Sequence, residues 1–219
     1  MFSAVLFDWD GTLADTRQVI LLSFRRALDK VNVQVPDAFI ERRIGTGAEQ
    51  TFREILQSKA KDFDGALIKS LVHEKIRAEI DLCEMISLLP GVPILLKSLE
   101  GKLPLALASM NNRAVVDHLL DRLNLSRFFN VVLTVEDVSL FKPHPEIFLK
   151  CASRLRVPPQ RCLVVEDSVF GVKAAKTAGM SCLAVSTGAY KETELAELDP
   201  EMLVSCLSNT ESVLNFMLR

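Results

Sequence analysis

The stretch Ala4-Val5-Leu6-Phe7-Asp8-Trp9-Asp10-Gly11-Thr12-Leu13 decides how the rest of the chain is read. Four consecutive apolar residues, followed at once by two acids flanking an aromatic and then by glycine, predict a buried strand that ends in a polar turn. If the extended conformation continues one step past Phe7, the carboxylates of Asp8 and Asp10 project to one side and Trp9 to the other. Two acids then face one ligand. A simple turn after a strand explains Asp10-Gly11 equally well when taken alone. The neighbours argue for more, because Gly11, Thr12 and the start of the following helix offer backbone N–H groups suited to phosphate oxygens.

Outward from this stretch, short runs rich in Val, Leu and Ala alternate with segments of helical period. That is the pattern of a parallel sheet covered by helices on both faces, an α/β fold. The runs are Ala4 to Phe7, Leu105 to Ala108, Cys162 to Val165 and Cys182 to Val185, with Val131 to Leu133 as a fifth. Helices are expected over 17–30, 113–122 and 169–178, with a last one over 209–218 covering the sheet. Polar groups therefore collect at strand C-terminal ends, where open parallel sheets bind ligands. Between the first helix and Leu89 no buried strand is expected. Phe52, Ile55 and Leu56, then Leu67, Ile68, Leu71 and Ile76, recur at helical spacing and predict an inserted helical cap. Pro90-Gly91 marks the return to the sheet, since proline disfavours helix at Leu89 and glycine turns sharply. The division expected is a core of 1–15 and 86–219 with a cap of 16–85.

Composition narrows the classes. The 219 residues are 49% hydrophobic and 25% charged, which suits a folded globular chain and excludes a disordered one. With 26 basic and 28 acidic residues the formal charge is −2, and no dense Lys/Arg run carries a nucleic-acid footprint. No apolar stretch reaches the roughly 18 residues of a membrane span, and no basic leader precedes Asp8. The five cysteines include no Cys-x-x-Cys and sit among apolar neighbours, as reduced core residues do. These features predict a cytoplasmic protein, monomeric or weakly dimeric, with no nucleic-acid or membrane partner.

Four further positions bear on chemistry. Ser109 follows the Leu105 to Ala108 strand and precedes Met110, Asn111 and Asn112; alone it reads as a helix cap. Lys142, before Pro143, alone reads as a solvated lysine. Glu166, Asp167 and Ser168 alone read as a capping cluster. Together with Asp8 and Asp10 they supply what phosphoryl transfer needs: a nucleophile in line, neutralised equatorial oxygens and a metal to hold anions together. Magnesium bound by Asp8 and Asp167, with Lys142 nearby, removes the repulsion between carboxylates and a phosphate dianion.

At this point the chain resembles the haloacid dehalogenase superfamily, in its branch of phosphoglycolate-type phosphatases and beta-phosphoglucomutases. The resemblance rests on Asp8-Trp9-Asp10-Gly11-Thr12-Leu13 with Asp15, on Ala108-Ser109, on Lys142-Pro143-His144-Pro145, and on Glu166-Asp167-Ser168 with Gly171, Ala174-Ala175 and Ala178-Gly179. It implies a Rossmann-like sheet with a cap, and a phosphatase acting on a small phosphorylated metabolite through an aspartyl-phosphate. Asp8 would attack phosphorus, while Asp10 would protonate the leaving oxygen and then activate water. Magnesium would be ligated by Asp8, the backbone carbonyl of Asp10, Asp167 and, less directly, Glu166. Ser109, Lys142 and backbone N–H groups near Trp9 and Met110 would hold the phosphoryl group. The loop Gly45-Thr46-Gly47 would face the substrate, with Arg42 or Arg43 as an anion contact. Departures are specific: beta-phosphoglucomutases carry a cap histidine where Ile20 stands and a cap arginine where Ala48 stands. Hydrolysis is therefore expected over mutase chemistry, and a phosphoreceiver switch is the non-enzymatic alternative.

Overall fold

The computed structural model describes residues 1–218. Six strands form one sheet: β1 (Ala4–Phe7), β4 (Leu105–Ala108), β5 (Val131–Leu133), β6 (Cys162–Glu166), β7 (Ser181–Val185) and β8 (Met202–Val204). Their spatial order is β5-β4-β1-β6-β7-β8, and every neighbouring pair is parallel. The fold is thus the α/β arrangement expected.

Period-two alternation in these strands divides the interior into two cores. Val5, Phe7, Leu105, Leu107, Leu163, Val165, Leu183 and Val185 point to one face, with α5 (Val92–Leu99), α6 (Arg113–Arg122) and α10 (Thr210–Met217). Ala4, Leu6, Ala106, Ala108, Cys162, Val164, Cys182 and Ala184 point to the other, with α7 (Glu146–Leu155) and α8 (Val169–Thr177). Small residues dominate this second face, so Ala174 and Ala175 of α8 lie close against the strands. Both faces are dry. Truncating a fully buried residue such as Leu107 to alanine is expected to cost about 2–5 kcal/mol.

A third core belongs to a helical insertion after β1. It is built from α1 (Arg17–Asp29), α2 (Asp37–Glu41), α3 (Ala48–Ser58) and α4 (Gly65–Asp81), which pool Phe24, Leu28, Phe52, Ile55, Leu56, Ile68 and Leu71. Asp64 caps α4 by accepting from the Leu67 N–H at 2.7 Å. The chain enters and leaves the insertion through a short antiparallel ribbon, β2 (Ala14–Asp15) against β3 (Ser87–Leu88). Gly91 then turns at φ 88°, a left-handed conformation suited to glycine, and starts α5.

Differences from expectation are local. Helices α1, α8 and α10 are shorter than predicted by one or two residues, and β6 and β7 are each one longer. The half-buried edge strand β8 and the two-residue ribbon were not anticipated. The helix α9 (Glu192–Ala196) completes the set. Among the described residues no helix is long and apolar enough to cross a membrane.

Candidate active site

Strand register assembles the site. Phe7 is level with both Leu107 of β4 and Val165 of β6, and the Asp8 N–H continues the ladder to the Val165 carbonyl at 3.0 Å. Asp8 therefore emerges between Ala108-Ser109 and Glu166-Asp167. Lys142 arrives from the loop between β5 and α7, after which the peptide bond to Pro143 is cis. Its buried ammonium donates to Asp8 Oδ1 at 2.6 Å, to Glu166 Oε1 at 2.7 Å and to the Ala108 carbonyl at 3.0 Å. All three ammonium donors are thus used by the ends of three adjacent strands.

Carboxylate oxygens of Asp8, Glu166 and Asp167 lie within 4.8 Å of one another, and all three residues are buried. Three ionised carboxylates against one lysine would leave two negative charges in a dry place. A hard divalent cation fits that deficit and that all-oxygen donor set. The protein shows the strain of the uncompensated arrangement. Burial lifts the Asp8 carboxyl to about 8, with Lys142 pulling it down and Glu166 and Asp10 pushing it up. Burial likewise raises Asp167 well above the carboxylate range, helped by Glu166 and Asp8. Burial pulls the Lys142 ammonium down, but Asp8 and Glu166 together leave it raised.

Space around the acids is reserved by glycines. A Cβ at Gly188 would stand 1.6 Å from Asp167 Oδ2, one at Gly11 2.5 Å from the same oxygen, and one at Gly171 1.8 Å from Glu166 Oε1. Gly188 was not anticipated from sequence, although its place three residues beyond Val185 is the strand-end signal that marked the other residues. Glu166 Oε2 accepts from the N–H groups of Asp167 and Ser168 and from the Ser168 hydroxyl, which itself accepts from the Gly171 N–H and caps α8. Capping, the bland reading of Glu166-Asp167-Ser168, is thus part of the site's construction.

Asp10 lies outside that carboxylate cluster. It is buried, its Oδ1 has no partner, and it lines a small cavity beneath the insertion together with Ile20, Gly45, Gly47, Ala48, Met110 and Asn111. Burial raises its carboxyl to about 6, with Glu79 pushing the same way and Lys75 opposing. Trp9, on the opposite side of the chain, is wholly buried in the sheet core.

Two expectations need correction. The Gly11 N–H bonds the Ala14 carbonyl and the Thr12 N–H bonds the Trp9 carbonyl, so both main-chain donors close the turn and cannot also hold phosphate. The Thr12 hydroxyl goes to Asp167 Oδ1 at 3.2 Å instead. Ser109 is not a helix cap: α6 starts at Arg113 with Asn112 in the capping position, and the Ser109 hydroxyl accepts from the Asn111 N–H at 3.0 Å.

The loop Gly45-Thr46-Gly47 folds over the core, with Gly45 close to Ser168 and Gly47 close to Val135 and the Met110 carbonyl. Arg42 and Arg43, expected as anion contacts, are both paired: Arg42 with Glu194 through two bonds of 2.6 and 3.0 Å, and Arg43 with Glu54 at 2.5 Å. Arg42 also lies over the Tyr190 ring at 4.0 Å, and Tyr190 donates to the Arg42 carbonyl at 2.7 Å, which ties the insertion to the core. A cavity of about 530 Å³ opens here, floored by Lys142 and Phe141, and another of about 380 Å³ reaches Asp10 and Asp167 beside Arg17.

Sequence reasoning missed one cluster altogether. Lys75 and Glu79 of α4 are buried, form an ion pair, and both bond the Asn111 side chain, at 3.0 Å from Lys75 Nζ and 2.9 Å to Glu79 Oε1. His144, by contrast, only accepts from the Glu146 N–H at the surface.

Comparison with known proteins agrees with this geometry. Residues 5–185 match the family described as haloacid dehalogenase-like hydrolase. The chain is 31% identical over 187 residues to the fructose-1-phosphate phosphatase YqaB of Escherichia coli, spanning 84% of this chain and 96% of that one. It is 30% identical over 191 residues to a beta-phosphoglucomutase of Bacillus subtilis, spanning 84% of each. The crystal structure of a hydrolase from Pseudomonas syringae superposes with a TM-score of 0.90 at 24% identity, covering 99% of this chain and 100% of that one.

Proposed function

Because the chain belongs to the haloacid dehalogenase-like hydrolases, we propose that it hydrolyses a phosphomonoester of a small metabolite, of sugar phosphate or phosphoglycolate type, through a phosphoryl group carried transiently on Asp8. The observation that supports this most is the contact of Lys142 with Asp8 and Glu166 while the Oδ1 of Asp10, two residues on, is left free beneath the insertion. A phosphatase needs that separation of roles.

In the first step an Asp8 oxygen forms a bond to phosphorus as the ester P–O bond breaks, and Asp10 gives its proton to the departing alcohol oxygen. In the second, Asp10 takes a proton from water, whose oxygen attacks the same phosphorus and releases inorganic phosphate and the Asp8 carboxylate. An Asp10 carboxyl raised to about 6 holds its proton more readily than an exposed acid and still gives it up near neutrality. Ser109 and Lys142, with backbone N–H groups near Trp9 and Met110, hold the transferring oxygens. Magnesium would be held by Asp8, Asp167 and the Asp10 main-chain carbonyl, and supplies charge compensation to the phosphoryl group. Glu166 serves chiefly to hold Lys142 and Ser168, given its four hydrogen bonds. Residues 16–85 act as a cap that closes over the site and excludes water.

Mutase chemistry fits less well. The cavity beside Asp10 has apolar walls at Ile20 and Ala48, the positions that resemble the histidine and arginine of beta-phosphoglucomutases. The test is phosphate release over a panel of phosphomonoesters with magnesium. Asp8→Asn and Asp10→Asn should each lose at least about 10²-fold in turnover, and full turnover in either would rule the mechanism out. Rapid conversion of beta-glucose 1-phosphate to glucose 6-phosphate, with its bisphosphate activator present, would establish the mutase instead.

A further inference from the structure

We infer that Glu79 is a specificity-determining residue: by neutralising Lys75 at the wall of the Asp10 cavity, it directs the site toward esters whose leaving alcohol is uncharged and hydroxylated. Leaving groups that carry a carboxylate or a second phosphate are disfavoured. The inference rests on the phosphatase reading above and names the substrate class of that site.

A leaving alcohol must stand beside Asp10, and the small cavity between Asp10 and the insertion is lined by Asp10 and Lys75 together. At about 30 Å³ it is small, so any group of the leaving alcohol that enters it lies against these wall residues. Ile20, Phe24 and Ala48 supply no charge. Lys75 and Arg43 supply the cations, and each already has a carboxylate: Glu79 for Lys75 and Glu54 for Arg43. Arg42 at the outer rim is matched by Glu194. Among the described residues that line this cavity, both cations are thus matched by an acid.

Glu79 differs from the other two acids in being wholly buried, with a side chain 0% exposed beside a Lys75 side chain 4% exposed. It cannot swing into solvent to release the lysine for an incoming anion. Asn111 locks the pair, accepting from Lys75 and donating to Glu79, and its own N–H is held by Ser109 Oγ. A second anion placed here would meet Asp10 and Glu79 with no free positive charge, in a low dielectric, which is strongly unfavourable. A hydroxyl meets a different site. Lys75 donates to Asn111 and is paired with Glu79, so a neutral oxygen entering the cavity meets an ammonium N–H donor and no unbalanced charge.

The experiment compares two esters of nearly equal size, 2-hydroxyethyl phosphate and 2-phosphoglycolate, whose leaving groups differ in a hydroxymethyl against a carboxylate. With magnesium, the wild-type kcat/KM should favour 2-hydroxyethyl phosphate by at least about tenfold, a factor that needs only about 1.4 kcal/mol. Glu79→Gln keeps the shape and the acceptor for Asn111 but frees the charge of Lys75, and should reduce that preference about tenfold. A merely structural role would lower both esters together and leave the ratio unchanged. Equal or faster hydrolysis of 2-phosphoglycolate by the wild type, or an unchanged ratio in Glu79→Gln, overturns the inference while leaving the phosphatase reading intact. Should Glu79→Gln melt too low to assay, the wild-type ratio alone decides. Release of phosphate from neither ester nor from p-nitrophenyl phosphate overturns the phosphatase reading itself, and this inference with it.

Discussion

Replacing Gly188 with alanine puts one methyl group against the acid most needed at the bottom of the site. The added carbon would lie 1.6 Å from Asp167 Oδ2 and 2.6 Å from its carboxyl carbon. Ordinary contact between such atoms begins near 3.5 Å, so the carboxylate must retreat by roughly 2 Å. It has little room: Gly11 abuts the same oxygen, the Thr12 hydroxyl holds the other, and Asp167 is 4% exposed. Gly188 does not occupy the left-handed region, so alanine brings no backbone strain and the collision acts alone. Overpacking of this kind costs about 1–3 kcal/mol, or a few degrees of Tm per kcal/mol in a chain of this size. Displacing a reacting or ligating group by more than 1 Å costs about 10²-fold in rate, and disturbing a metal ligand's support costs about 10–100-fold in affinity. Phosphate release measured against magnesium concentration should therefore show kcat/KM reduced about 10²-fold and half-activation moved to at least tenfold more metal. Gly65→Ala is the control, because nothing lies within 4 Å of the added carbon at that start of α4; it should be silent in activity and neutral to slightly stabilising. A Gly188→Ala protein with wild-type metal dependence and full turnover would refute the claim that this glycine reserves space for Asp167.

Three other outcomes are expected. Lys142→Met removes the sole ammonium among three buried carboxylates, and should lower turnover by about 10²–10³-fold, measured by phosphate release at saturating magnesium. Magnesium at 100 times its Kd should stabilise the wild-type protein by about 2.7 kcal/mol in a thermal melt, and Asp167→Asn should abolish most of that gain. With chelator present, stability should fall as pH rises from about 4 to 6: the Asp10 carboxyl is raised from 3.8 to about 6, so the folded state holds a proton that the unfolded state has lost. That difference corresponds to about 3 kcal/mol, and Asp10→Asn should make the denaturant-derived profile less steep there, the remaining slope coming from Asp8 and Asp167, whose carboxyls are also raised.

Much of the fold was legible because fully buried parallel strands leave a simple signature. Each of the runs around Val5, Ala106, Val132, Val164 and Leu183 became a strand of the sheet, and the polar residues that follow them gathered at one edge. Strand β8 was missed because Met202–Val204 is a three-residue segment that is only half-buried along its length, so its short apolar run carries little strand signal. The ribbon of β2 and β3 was missed for a related reason: two-residue strands are defined by their partner and not by their composition. Lys75 and Glu79 stand four residues apart on a helix, a spacing that ordinarily means a solvated ion pair. Only the packing of α4 over Asn111 buries them, and that contact links positions 32 and 36 residues apart. Gly11 and Thr12 were placed correctly beside the acids, but the tightness of the turn that engages their N–H groups is a backbone property no residue type announces.

Lys142 also bears on how the protein comes into being. Its bonds reach residues 8, 108 and 166, so the β1, β4 and β6 ends must all be in register before the ammonium is satisfied. A partly assembled sheet leaves that ammonium hydrated and without its full set of acceptors, so intermediates lacking one of the three strands gain nothing from its burial. Refolding followed by enzymatic assay should accordingly recover activity in step with the final tertiary signal, making turnover a reporter of the completed chain.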